Sequence, residues 1–144
     1  MTNGRTYNVG ILGFGFIGKV HAHGYRNMPL YYNPQPLTAR ITHVCTSRPE
    51  TAEAGRTLVG ADTATTDFRD ITENTDVDIV HICTPNHLHR DALLSAMAHQ
   101  KHIYCDKPLV ADLAQAEEIR EALKDYSATA QMTFQIRFFS AVMK

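Results

Sequence analysis

Tyr7-Asn8-Val9-Gly10-Ile11-Leu12-Gly13-Phe14-Gly15-Phe16-Ile17-Gly18 is the stretch that decides the fold. Tyr7–Leu12 is a short apolar run with little alternation, the pattern of a strand covered on both faces. Phe16 to about Met28 then carries apolar residues at helical spacing. A GxGxxG string alone says little, because glycine is common. Placed directly after a strand and opening a helix, it sits in its confirming context. Gly13 permits the tight turn, Gly15 lets a pyrophosphate approach the backbone, and Gly18 lets the helix pack close to the sheet. The free N–H groups of that helix start, at Phe16 and Ile17, then face the anion along with the positive end of the helix dipole. A plain glycine turn between strand and helix is the competing interpretation.

The same alternation of strand and helix continues outward. The three prolines Pro29, Pro34 and Pro36 mark a loop over Pro29–Pro36. Arg40–Cys45 reads as a strand, Glu50–Val59 as a helix with Pro49 in its first turn, Ala61–Thr66 as a short strand and Asp67–Glu73 as a brief helix. Val77–Cys83 is the next strand. Asn86 is placed to cap a helix over Leu88–Gln100, whose Leu88, Ala92 and Ala96 form one apolar stripe with Leu93 and Met97 beside it. His102–Cys105 is a strand. Asp112 caps a last helix, with Gln115 set to return the capping bond, and with Leu113, Ala116, Ile119 and Leu123 inward. Thr129–Phe134 is the sixth strand. Strand and helix repeated about six times predict an α/β fold: one doubly wound parallel sheet with helices on both faces, in the order 3-2-1-4-5-6.

Composition bounds the rest. The chain has 144 residues, enough for one domain, with 44% apolar and 20% charged residues. The net charge of −1 argues against nucleic acid as the main partner. No apolar run approaches the length of a membrane span, and the polar start Met1–Asn8 shows no signal-peptide pattern. Cys45, Cys83 and Cys105 each end an apolar stretch and read as reduced structural thiols, which fits a cytoplasmic setting.

In an open parallel sheet, ligands bind beyond the carboxyl ends of the strands, and here the unusual polar residues collect there. The second strand ends in Cys45-Thr46-Ser47-Arg48, with no acid to hold a ribose. Two hydroxyls and a guanidinium at Thr46, Ser47 and Arg48 suit a 2′-phosphate, so NADP is preferred over NAD. Thr84, Pro85, Asn86 and His89 follow the fourth strand, Asp106-Lys107-Pro108 the fifth, and Gln135, Arg137 and Phe138 the sixth. Lys107 is the candidate catalytic residue: a lysine beside a nicotinamide can hydrogen-bond a substrate hydroxyl and take or return its proton. A surface lysine is the alternative. Asp106 is placed to orient it or to touch the nicotinamide ribose, and a cis bond before Pro108 is one way to aim Lys107 inward. The pairs His21/His23 and His87/His89 do not make a metal site, because residues two apart on a helix point to different faces and no further ligands complete a shell.

These residues together resemble the Gfo/Idh/MocA oxidoreductase family. The likeness rests on Gly13-x-Gly15-x-x-Gly18-x-x-His21, on Asp78–Asn86 with His89, and on Lys101–Leu109, and it runs from about Tyr7 to Phe139. The resemblance implies an NAD(P)-binding Rossmann domain spanning residues 1–144. It implies a larger α/β substrate domain that this chain does not contain, and hydride transfer between nicotinamide and a sugar-like or polyol substrate. The family's Glu-Lys-Pro motif falls on Asp106-Lys107-Pro108, with the acid one methylene shorter. On this basis the parent is an NAD(P)-dependent dehydrogenase or reductase, the isolated chain is inactive, and a homo-oligomer is compatible with it. A non-catalytic NAD(P)-sensing or regulatory module of the same family is the second reading.

Overall fold

The computed structural model describes residues 4–143, apart from the side chain of Phe138; Met1 to Asn3 of the polar start, and Lys144, lie outside the described residues. Six strands, β1 (Thr6–Leu12), β2 (Thr38–Cys45), β3 (Thr63–Thr65), β4 (Ile79–Ile82), β5 (His102–Cys105) and β6 (Ala130–Met132), form one sheet in the order β3-β2-β1-β4-β5-β6. Every neighbouring pair is parallel. The doubly wound architecture is therefore the one the alternation implies.

Two apolar cores flank the sheet, because successive strand residues point to opposite faces. Val9, Ile11, Ile41 and Val44 pack with Ala22 of helix α1 (Phe16–Tyr31). Val80, Ile82, Ile103 and Cys105 pack on the other side. Their partners there are Ile71 of α3 (Arg69–Thr72), Leu93 and Met97 of α4 (His89–Ala98), and Ile119 of α5 (Leu113–Ala122). Helix α2 (Pro49–Val59) begins with Pro at its first position and ends on Gly60 in the left-handed region, which supplies both terminal signals.

Five local expectations need correction. Helix α1 runs through Pro29 to Tyr31, so the proline does not open the loop. Pro29 falls near the helix end, where only the Tyr25 carbonyl loses its partner, and Tyr32 N still donates to Met28 O at 3.1 Å. Asn86 is not a side-chain cap: Asn86–Leu88 forms a 3-10 turn after Pro85, and α4 starts only at His89. Leu113 and Leu123 are not inward; they are 77% and 48% exposed, while Ile119 carries the buried contact of α5. Finally, Asp112 does accept from Gln115 N at 2.9 Å, but Gln115 reaches back to Ala111 N at 3.2 Å and not to the cap residue. The sixth strand is also shorter than expected, and a 3-10 turn, Gln135–Phe138, follows it.

Candidate functional site

The end of β1 is clamped between its neighbours. Gly13 N donates to Cys45 O at 2.8 Å, and Cys83 N donates to Leu12 O at 2.7 Å. The glycine turn thus sits between the tips of β2 and β4, where the strand order reverses and where an open α/β sheet forms its crevice. Gly13 holds a φ of +84°, and a Cβ there would lie 2.6 Å from the Cys83 carbonyl oxygen. A Cβ on Gly18 would collide with the Gly13 carbonyl. Gly15 differs: nothing lies within 4 Å of its Cβ position, so its glycine leaves room above the backbone and not within the protein. No side chain caps the start of α1 at Gly15. The first-turn N–H groups therefore open onto a cleft of about 740 Å³.

The cleft is lined by Gly13, Gly15, Phe16, Ile17, Thr46, Ser47, Arg48, Thr84 and Pro85. These residues come from the tips of β1, β2 and β4. Gly18 lies buried beneath the turn. At the β2 tip Ser47 and Arg48 are exposed, and no acid occupies that tip. The Thr46 hydroxyl is committed internally, donating to Arg48 O at 2.9 Å and lying 2.6 Å from the Thr51 hydroxyl. Thr84 carries the opposite feature. Its Oγ1 is buried yet has no hydrogen-bond partner, an orphan of the kind a bound ligand satisfies. Phe68, Leu88 and Asp91 also line the cleft. Sequence reasoning missed them because they arrive from the loop before α3 and from the start of α4, with no motif around them.

Asn86, His89, Asp106, Lys107 and Arg137 do not line this cleft. His89 is 1% exposed, so it offers no surface to a ligand. Its Nε2 lies 2.7 Å from Thr84 O, and its Nδ1 lies 3.0 Å from Pro108 O and 3.2 Å from Leu109 O. The ring thus ties the loop after β4 to the turn after β5, where the Lys107–Pro108 bond is cis. Lys107 is exposed and lines a second concavity, of about 560 Å³, together with Thr133 and Arg137. Asn86 is exposed in its 3-10 turn.

A buried polar cluster joins α1 to the sheet. His21 Nδ1 lies 2.9 Å from His81 Nδ1 and 3.2 Å from Cys83 Sγ, and the Tyr25 hydroxyl lies 2.8 Å from His81 Nε2. His81 showed no signal in sequence beyond its strand position, yet it is the centre of this network. Burial, reinforced by His21, pulls its pKa down to about 3, so the ring is neutral at ordinary pH. A neutral ring that accepts from the Tyr25 hydroxyl donates its other N–H to His21. Burial also pushes the thiols up, Cys45 to about 11 and Cys105 to about 12, with Cys83 raised as well, so all three remain protonated and weakly nucleophilic. A further concavity, of about 1030 Å³, covers this cluster on the α1 side of β1, β4 and β5. It lacks a glycine turn and is lined mainly by tyrosine, histidine and apolar side chains. Among the described residues no group of three His, Cys, Asp or Glu could hold a metal ion, and no helix is long and apolar enough to cross a membrane.

A parallel sheet in this order, with an uncapped glycine-started helix at its switch point, defines a dinucleotide-binding Rossmann domain. The chain belongs to the GFO_IDH_MocA oxidoreductase family, NAD-binding Rossmann fold, whose model matches residues 7–134. It is 34% identical over 138 residues to levoglucosan dehydrogenase of Pseudarthrobacter phenanthrenivorans, covering 96% of this chain and 35% of that protein. It is 35% identical over 145 residues to inositol 2-dehydrogenase of Rhizobium meliloti, covering 96% of this chain and 40% of that one. Among solved structures, levoglucosan dehydrogenase in complex with NADH and levoglucosan superposes with a TM-score of 0.90 at 33% identity, over 96% of this chain and 37% of that one. The chain thus spans between a third and two fifths of these relatives' length.

Proposed function

We propose that this chain is the cofactor half of a dehydrogenase that moves hydride between a nicotinamide dinucleotide and a sugar-like or polyol alcohol or carbonyl. The observation that carries the reading is the start of α1: uncapped N–H groups and open space over Gly15 on one cleft, which Thr84, with its buried and unpartnered hydroxyl, also lines. Relatives that act on levoglucosan and inositol support the substrate class. Three free thiols are consistent with a cytoplasmic setting.

The residues present fit the dinucleotide. Gly13, Gly15, Phe16 and Ile17 would hold the diphosphate through backbone amides, and Thr84 with Pro85 would close the β4 side. Ser47 and Arg48 would hold the adenosine end, with the Thr46 hydroxyl bracing the turn that carries them. His89 positions the two turns and does not itself touch ligand, and Asn86 shapes the turn before α4. Asp106 and Arg137 would bound the nicotinamide end. The dinucleotide supplies the hydride donor and acceptor when bound. Lys107 would hydrogen-bond the substrate hydroxyl and take up or return its proton, which is why an exposed lysine at a strand tip is informative.

The β2 tip favours NADP over NAD, because Ser47 and Arg48 attract a 2′-phosphate and no acid repels it. Calorimetric titration is expected to show NADPH bound about tenfold more tightly than NADH, with Arg48→Ala erasing most of the difference. NADH bound tenfold more tightly would reverse the preference, and no heat from either nucleotide would remove the cofactor reading altogether.

The catalytic assignment has its own test. In a polypeptide of the relatives' full length, Lys107→Ala should lower kcat by on the order of a hundredfold or more while changing nucleotide affinity little. Equal losses in both would reduce Lys107 to a binding residue.

A further inference from the structure

We infer that Thr133 is a positioning residue for the nicotinamide end of the site, acting through Asp106. The inference rests on the dinucleotide reading of the cleft and extends it to a residue one strand further on. Thr133 follows β6 and is 4% exposed. Its backbone N donates to Cys105 O at 2.9 Å, which fixes it beside the end of β5. Its hydroxyl donates to Asp106 Oδ1 at 2.6 Å. The same carboxylate oxygen accepts from Lys107 N at 2.8 Å.

One oxygen of Asp106 thus gathers both bonds, and Asp106 N is itself tied to Ile82 O of β4 at 2.8 Å. Two donors on one oxygen restrain the carboxylate, and the other oxygen is left to accept from a ligand. A hydroxyl donor, as on a ribose or a polyol, is the chemistry that oxygen takes. The short aspartate side chain is what makes this possible. It keeps the carboxylate within reach of the neighbouring strand, where a buried hydroxyl needs a partner. Thr133 therefore fixes the direction in which Asp106 and the first amide of the Lys107 turn face.

The test compares two nucleotides on the same 144-residue chain. NADH reaches the nicotinamide end, whereas ADP stops at the diphosphate. Both lack a 2′-phosphate, so the preference at the β2 tip cancels. Thr133→Val should weaken NADH about tenfold while leaving ADP within about twofold. Thr133→Ser should restore NADH to within about threefold of the starting protein, because it returns the hydroxyl. Thr133→Ala carries the same expectation as Thr133→Val should the valine variant not fold, and ADP binding reports an intact cleft in each. Unchanged NADH affinity in Val and Ala overturns the inference, as does an equal loss for NADH and ADP, or a serine variant as weak as valine. If the starting chain binds neither nucleotide, the dinucleotide reading itself fails, and this pattern is distinct from all the others.

Discussion

Gly13→Ala is expected to destabilise the chain by about 2–5 kcal/mol, whereas Gly15→Ala should leave stability nearly unchanged and still weaken the nucleotide. The two glycines are two residues apart and share a turn, but the physical demand on each is different. At Gly13 the backbone holds a φ of +84°, which costs an L side chain about 1–2 kcal/mol. The added Cβ also meets fixed backbone, the Cys83 carbonyl oxygen at 2.6 Å and Thr84 N at 2.8 Å, and none of these atoms belongs to a side chain able to swing away. At Gly15 the Cβ meets nothing within 4 Å, so urea melts should place Gly15→Ala within about 1 kcal/mol of the original. The same methyl stands where a diphosphate approaches the α1 amides, and calorimetry should show NADH or NADPH weakened at least tenfold, about 1.4 kcal/mol. A stable Gly15→Ala that binds as well as the original would remove the diphosphate from that turn. A Gly13→Ala as stable as the original would mean the turn relaxes in a way the sheet clamp argues against.

Acid should weaken this protein through one buried side chain in particular. His81 has a folded pKa of about 3, set by burial first and by His21 second, against 6.5 for the free side chain. The sign follows from proton counting: between those two values the unfolded chain binds a proton that the folded chain excludes. His81 therefore favours the fold fully above about pH 6.5, and that contribution is lost as pH falls toward about 3. The slope approaches about 1.4 kcal/mol per pH unit, and the total is on the order of 5 kcal/mol. Urea melts at pH 7, 6, 5 and 4 measure it. His81→Gln cannot titrate, so its stability should fall less steeply between pH 6 and 4 by roughly one proton, whatever the variant costs at pH 7. Parallel curves for the two proteins would show that His81 takes up its proton in the folded state as readily as in the unfolded one.

The glycine turn was legible because its requirements are local. A φ near +84° at Gly13 and the close approach of Gly18 to the Gly13 carbonyl involve residues at most five apart. Apolar runs such as Tyr7–Leu12, broken by a helical period, carry the strand order with them, since right-handed crossovers leave few topologies open. Where local reading failed, a neighbour outside the window decided. Leu113 fits an inward stripe by spacing, but α5 packs on α4 around Ile119 and leaves its first turn uncovered. Pro29 looks like a breaker, but a proline near a helix end removes one bond and not a ladder.

From its residues alone, then, this chain specified a doubly wound sheet and an anion-holding turn, because backbone conformation and crossover handedness are short-range properties. The tertiary structure alone decided which distant side chains meet. His21 and His81 are 60 residues apart, and Thr133 and Asp106 are 27 apart. The first pair forms where α1 packs across the face of β4, and the second because parallel register brings the ends of β5 and β6 level with one another. No periodicity within one segment encodes that alignment between strands.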